Sequence, residues 1–406
     1  MVSLPVCCLA IYLLIVRILR YRRVNRTSRK YADLNLDAIT PQKVQEIVYD
    51  SLFYDMVLGT QVTLFKIYGV PTIATLLLKS GEMTDEVQLN KRLADTATLI
   101  ATFISNPSPP CSSTDDRSDP RAAIALARIN YIHEKYPIRN EDLLYNLALF
   151  MLEPVRWTAR FNWRPHTSLE KKAIFILWTD AGRRMGIENI WSSYEEMENW
   201  AHTYEEENMI PSESAYNLSR ITINHMLNRV PSFPGLKSLA YNVFLTLLDE
   251  RTRYAMGLPA PNRAISSTIY ALFHIRAWIV HYLCLPRFKP ALWVQMNMNP
   301  ICPSADEIPR MHAVYPRRSG PYYFPEPTGY FAVKLQRLLL ALGLKNPDKI
   351  PGKRWRSEGY RLEELGPVRW ENEGHEEVMA AAAQMQGCPI SGPWSLDARK
   401  GREKKE

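Results

Sequence analysis

Residues 121–136 read RAAIALARINYIHEKY, and the spacing within that stretch decides the fold class. Ala122, Ala125, Leu126, Ile129, Ile132 and Tyr136 recur at three- and four-residue steps, the repeat of a helix with one buried stripe. Arg121, Arg128 and Glu134 fall mostly elsewhere. His133 sits on or beside the stripe. Two readings are open for it: a haem or metal ligand, or a core histidine whose nitrogens are hydrogen-bonded.

The same period extends in both directions. Upstream, 89–104 reads as a strong helix on which Arg92, Asp95, Thr96 and Leu99 fall at i, i+3, i+4 and i+7, hence on one face. A cation, an acid and a hydroxyl on an otherwise apolar face are costly if buried without purpose; the alternative is a surface edge with an ordinary ion pair. Before it, 40–67 and 72–78 are helical. A Pro/Ser/Asp-rich loop, NPSPPCSSTDDRSDP (106–120), joins the Arg92 helix to the His133 helix without separating two domains. Downstream, helical patterns occupy 141–155, 168–185, 193–207, 212–228 and 236–254, and none shows the alternation of a half-exposed strand. The expected fold class is all-α, a large helical bundle.

Residues 264–285, AISSTIYALFHIRAWIVHYLCL, are apolar enough to resemble a membrane span but contain His274, Arg276 and His281. Those groups are expensive in lipid, so the stretch reads as a central bundle helix that pairs them. His274 and His281 share a face and are second-choice ligands; as polar members of a buried helix they need no such role.

The N-terminus is different. An apolar run from Leu4 to Leu19, broken only by Arg17, precedes Arg20, Arg22, Arg23, Arg26, Arg29 and Lys30. Sixteen helical residues span about 24 Å, short of a hydrocarbon core of roughly 30 Å, and Arg17 and Arg20 can snorkel to make up part of the difference. A cleaved signal peptide carries its charges before the apolar run; here they follow it. The expectation is a single-pass anchor with the body on the cytosolic side, the alternative an interfacial helix. The net charge of +8 is concentrated in this flank and in the C-terminal tail, which favours a membrane surface and argues against nucleic acid as partner. Six scattered cysteines without a CxxC pair argue against a zinc site or a disulfide framework and fit a reducing environment.

The expected organisation is therefore an anchor and basic flank (1–30), a helical catalytic domain (31–285), a proline-rich extension packed on it (286–370) with one more helix over 331–344, and a mostly disordered tail (371–406). GxGxxG after a strand, GxxxxGK[ST], GxSxG and HExxH are all absent. Asp115-Asp116 has no second acidic cluster, and no cysteine has the glycine-flanked setting of a thiolate haem ligand. What remains open is a histidine-ligated cofactor or a non-enzymatic membrane protein.

The order of segments resembles a known family. YGVPTIATLLLKSGEM (68–83), KRLADTATLI (91–100), ARINYIHEKY (127–136), DLLYNLALFMLEPVRW (142–157), NWAHTYEEENMIP (199–211) and GYRLEELGP (359–367) resemble, in this order, the fungal ER-bound oxygenases of mycophenolic acid biosynthesis (MpaB type). More distantly the chain is similar to the latex-clearing protein (rubber oxygenase) superfamily, all-α proteins holding haem b. That resemblance implies His133 as the haem-iron ligand, and Arg92, Asp95 and Thr96 as the counterpart of a distal Arg–x–x–Lys–Thr element, with Asp95 departing from the lysine. It also implies dioxygen as co-substrate, a lipophilic isoprenoid or meroterpenoid intermediate of secondary metabolism as substrate, residence in the endoplasmic reticulum membrane, and a reductase or other pathway enzymes as partners. Another enzyme on the same scaffold, such as a haem-free isomerase or cyclase, and a pathway scaffold are the alternatives.

Overall fold

A computed structural model describes residues 4–32, 39, 41–50, 53–83, 86–105, 119–228, 230–231, 233–287, 310–314, 320–342 and 350–396. Most of the 106–120 loop, the Asp115-Asp116 pair, much of the proline-rich stretch after 287 and the last ten residues lie outside them. The regular structure is helical, as the periodicity predicts; among the described residues strand-like pairing is confined to isolated bridge positions, including an antiparallel bridge between Met311 and Tyr360.

The chain packs as two units, each assembled from separate segments: Met1–Met83 with Ile138–Ala291, and Thr84–Pro137 with Leu292–Glu406. The first unit contains α1 (Leu4–Arg20), α2 (Arg22–Lys30), α3 (Pro41–Asp50), α4 (Phe53–Ile67) and α5 (Pro71–Lys79). The second contains α6 (Glu86–Ser105) and α7 (Arg121–His133). The first resumes with α8 (Asn140–Phe161), α9 (Ser168–Arg184), α10 (Tyr194–Asn208), α11 (Glu213–Leu227), α12 (Leu236–Leu247), α13 (Glu250–Ala255) and α14 (Arg263–Tyr282). The second closes with α15 (Tyr330–Ala341), short 3-10 turns including Leu362–Glu364, and α16 (His375–Gln386).

Helix starts follow local chemistry. Thr167 accepts from the backbone of Glu170 while the Glu170 carboxylate returns to the Thr167 amide, a capping box that starts α9. Ser193, Ser212, Asp249 and Asn262 cap α10, α11, α13 and α14 through their side-chain oxygens. In the first unit α4 lies along α8 so closely that a Cβ on Gly59 would stand 2.6 Å from the Pro154 backbone, which is why glycine occupies that turn. Buried Lys66 on α4 is ringed by Glu205 at 2.9 Å and by Glu153 and Asp249 at 3.2 Å. Burial opposes its charge, but the three carboxylates outweigh that cost and hold the ammonium pKa above its ordinary value.

Four expectations are corrected. The 264–285 stretch is not a buried bundle helix: of α14 only Ala277 is buried, while Leu272, Ile275, Trp278, Ile279 and Tyr282 are exposed. Its exposed face over 272–282 is as apolar as its packed one apart from His274, and periodicity cannot tell a core from another apolar environment. Arg20 does not snorkel; it is buried, with its guanidinium on backbone carbonyls at the end of α14. Residues 375–386, expected within the tail, form α16, whose Val378, Met379 and Ala382 are buried in a helix packed on α7. Cys388 is disulfide-bonded, whereas Cys7, Cys8 and Cys284 are free.

By length and composition, Leu4–Lys30 is the one helix among the described residues able to cross a membrane. Leu4, Val6, Leu9, Ile11, Leu14 and Ile18 are exposed along it, as an anchor requires and a core helix does not.

Candidate functional site

The segments carrying Arg92, Asp95, Thr96 and His133 fall in the second unit, on the packed pair α6 and α7. On α6 the buried stripe runs through Lys91, Ala94, Asp95, Thr98, Leu99 and Thr102, while Arg92 and Thr96, one turn apart, lie half-buried at its edge. The one-face grouping therefore divides. Arg92 and Thr96 share the edge; Asp95 points inward.

Asp95 is fully engaged. Its Oδ1 accepts from the Tyr323 hydroxyl at 2.6 Å, and its Oδ2 accepts from Lys91 Nζ at 2.7 Å and the Gly366 amide at 3.0 Å. Lys91 also donates to the Gly366 carbonyl at 2.6 Å. Burial and the adjacent carboxylate together push the Tyr323 phenol well above its usual pKa, so it stays protonated and donates. Gly366 has φ +124°, and a Cβ there would lie 2.5 Å from Ile132 Cδ1. Only glycine lets this backbone pass between α6 and α7 while offering both amide and carbonyl.

The α7 helix is buried from Arg121 through Arg128 and half-buried from Ile129 to its last residue, His133. Arg128 neither faces solvent nor is free for an anionic ligand. Its guanidinium donates to the carbonyls of Leu365 at 2.7 Å, Trp370 at 2.6 Å and Glu373 at 2.8 Å. The motif GYRLEELGP thus has a physical role: its Leu365 and Gly366 fasten both site helices. Sequence periodicity missed Lys91, Tyr323 and Gly366; the one available signal was a glycine inside a recognisable motif.

His133 differs from these satisfied groups. Its Nδ1 is buried and has no hydrogen-bond partner. Burial first, and the positive charge of Arg92 second, push its pKa down to about 4, so the imidazole is neutral at pH 7 with a lone pair available. Among the described residues the only other buried, unpartnered imidazole nitrogen is His166 Nε2 in the first unit, whose Nδ1 is paired with the Thr158 hydroxyl at 2.6 Å. His274 is exposed beside Phe161, and His281 stacks on Tyr282 at 4.3 Å. Neither has the buried open nitrogen of His133. Among the described residues no group of three or more His, Cys, Asp or Glu side chains could hold a bare metal ion.

A haem brings four nitrogen ligands of its own and needs one protein ligand to hold its iron. A neutral histidine with a buried, unused nitrogen fits that need.

Comparison with known proteins identifies the family. The model of the ER-bound oxygenase mpaB/B'/rubber oxygenase catalytic domain matches residues 69–279, slightly more than half of the chain. The chain is 29% identical over 402 residues to the ER-bound oxygenase mpaB' of Penicillium brevicompactum, covering 92% of this chain and 90% of the relative. It is 33% identical over 326 residues to the ER-bound oxygenase mpaB of the same species, covering 71% and 80%. With the ER-bound oxygenase mpaB of Penicillium roqueforti (strain FM164) it shares 30% identity over 277 residues, covering 63% and 89%.

Proposed function

The chain belongs to the ER-bound oxygenase mpaB/B'/rubber oxygenase family and is an oxygenase, and from that premise we propose a haem-dependent enzyme with His133 as the iron ligand. The observation that carries this reading is the buried, unpartnered Nδ1 of His133 in a neutral imidazole. Haem b held there supplies redox-active iron for dioxygen chemistry. The other roles fall to the chain's own side chains. Arg92 is permanently charged, and Thr96 stands one turn along the same half-buried edge. Arg92 orients an anionic or carbonyl group, and the Thr96 hydroxyl gives or relays a proton. Asp95 is a positioning residue: it fixes the inner face of α6 and thereby the pitch at which that edge is presented.

The substrate is a lipophilic isoprenoid or meroterpenoid intermediate of secondary metabolism, oxidised or oxidatively cleaved. The family's endoplasmic reticulum location and the exposed apolar helix α1 support it, because tethering holds the enzyme where such a molecule concentrates. The anchor crosses the endoplasmic reticulum membrane once, with its basic flank and the catalytic body on the cytosolic side.

The test is the visible spectrum of the full chain in detergent. A Soret band present in the wild type and absent in His133→Ala, with helical content unchanged, is the expected result. Purified protein that turns over a substrate without haem removes the proposal and leaves a haem-free enzyme on this scaffold.

A further inference from the structure

The helix α14 combines three features that no role in the chemistry explains. Its inner side is packed: Ala277 is buried, and Phe273 lies tilted against Phe161 at 4.8 Å and edge-on to Trp157 at 5.5 Å. Its outer side is equally apolar yet exposed, with Leu272, Ile275, Trp278, Ile279 and Tyr282 at 55%, 52%, 55%, 39% and 45%. The helix carries no acidic residue; of the polar groups in its C-terminal half, Arg276 and His281 are half-buried against the protein and His274 is exposed, at 6.3 Å from the Phe161 ring. A contiguous apolar face of this kind marks a place where something other than water belongs.

The second feature is its neighbour, the anchor. Tyr12, near the middle of α1, donates to the Leu283 carbonyl at 2.8 Å. Arg20, at the end of α1, donates through Nε to the His281 carbonyl at 3.1 Å and through its terminal nitrogen to the carbonyls of Val280 and Cys284. Tyr12 and Arg20 are eight residues apart, about 12 Å along a helix. The end of α14 therefore lies beside the C-terminal half of α1, at the depth of residues 12–20.

The third feature is the chemistry of those contacts. The last carbonyls of a helix have no partner within it. In water they are solvated at no cost; in hydrocarbon only a protein donor can satisfy them. The last carbonyls of α14 receive a phenol and a guanidinium from the anchor, and the guanidinium lies over the Trp163 ring at 5.1 Å.

We propose that the C-terminal half of α14 is embedded in the bilayer leaflet entered by the Arg20 end of α1, with Ile275, Trp278, Ile279 and Tyr282 against phospholipid acyl chains. This rests on the reading of α1 as the membrane anchor. It commits to lipid because the apolar face continues from the anchor itself.

The test uses the full chain in dioleoylphosphatidylcholine vesicles, with a photoactivatable benzophenone amino acid placed singly at Ile275, Ile279, Leu9 or Thr203. Leu9 reports the anchor, and Thr203, exposed on α10, reports background. Mass analysis after irradiation should show phospholipid adducts at Ile275 and Ile279 comparable in yield to those at Leu9 and severalfold above Thr203. Background yield at both α14 positions, with adducts still formed at Leu9, overturns the proposal. A cross-linked dimer in place of lipid adducts overturns it in favour of a second copy of the chain. Background yield at Leu9 as well removes the anchor reading and the proposal together.

Discussion

The carboxylate of Asp95 on α6 accepts a 2.6 Å hydrogen bond from the phenol of Tyr323, 228 residues further along the chain. With the Lys91 ammonium and the Gly366 amide it completes a buried cluster in which every group has a partner. Asp95→Ala leaves Lys91 buried without its counter-ion, and breaking such a pair costs about 3–5 kcal/mol. A marked fall in the thermal midpoint of the detergent-solubilised protein is expected. An unchanged midpoint with lost turnover would mean that Asp95 acts on substrate.

Gly366 is the backbone counterpart of that cluster. Its φ of +124° and the 2.5 Å approach of Ile132 Cδ1 to a Cβ mean that Gly366→Ala strains the turn and forces the Ile132 side chain aside. The expected loss is about 1–3 kcal/mol in denaturant titration. Full stability in the alanine variant would show that the chain passes the helices by another route.

Arg92 and Thr96 make the opposite prediction. Neither is tied into the Asp95 cluster, so Arg92→Ala and Thr96→Ala should keep fold and haem absorbance while lowering turnover-linked dioxygen consumption by about a hundredfold, the effect of deleting one preorganised donor. Loss of haem in both variants would place the cofactor's support on α6.

His166 predicts a pH dependence. Burial, the largest cause, lowers its pKa to about 4, with Arg164 and Lys171 adding to the shift and Glu170 opposing it. An unfolded chain takes up this proton near pH 6.5 and the folded chain only near pH 4. Between these values the unfolded state binds more protons, so stability falls as pH is lowered through the window and is unaffected by this group above it. The full effect is on the order of 3 kcal/mol. Thermal melts of His166→Asn should lose less stability than wild type between pH 6.5 and 4; parallel curves would assign the ring no such role.

The basic flank Arg22–Lys30 predicts orientation. Trypsin added to intact microsomes should digest the body without detergent, as the positive-inside tendency requires. A body protected until detergent is added would reverse the assignment and accord with the disulfide at Cys388, since disulfides persist in oxidising compartments.

The helices at 89–104 and 121–136 were legible because their apolar periods are local, but the single buried stripe expected along 121–136 is not what forms: Arg121 through Arg128 are buried on every side, and Ile129, Ile132 and Tyr136 are only half-buried. Nor was the role of Asp95 legible. Its position beside Arg92 and Thr96 is a matter of helix geometry, but its partners Tyr323 and Gly366 lie far along the chain, and no local pattern encodes them. At α14 the period reads identically for a core and for lipid, so its apolar face was visible while its surroundings were not. At α16 the run AAAAQMQ carries few apolar side chains, and its burial depends on the facing surface of α7.

The bonds from Lys91 and Arg128 to Leu365, Gly366, Trp370 and Glu373 also set an order of events during synthesis. The ribosome delivers the first helix hundreds of residues before it delivers the segment that locks α6 to α7. On the anchor reading proposed above, targeting precedes this fastening, and the long sequence separation of these bonds makes their closure a late, slow step. A nascent chain stopped before residue 365 carries the apolar first helix yet lacks every partner in the lock. The fastening of α6 to α7 is thus completed only near the end of synthesis, after both helices themselves have been made.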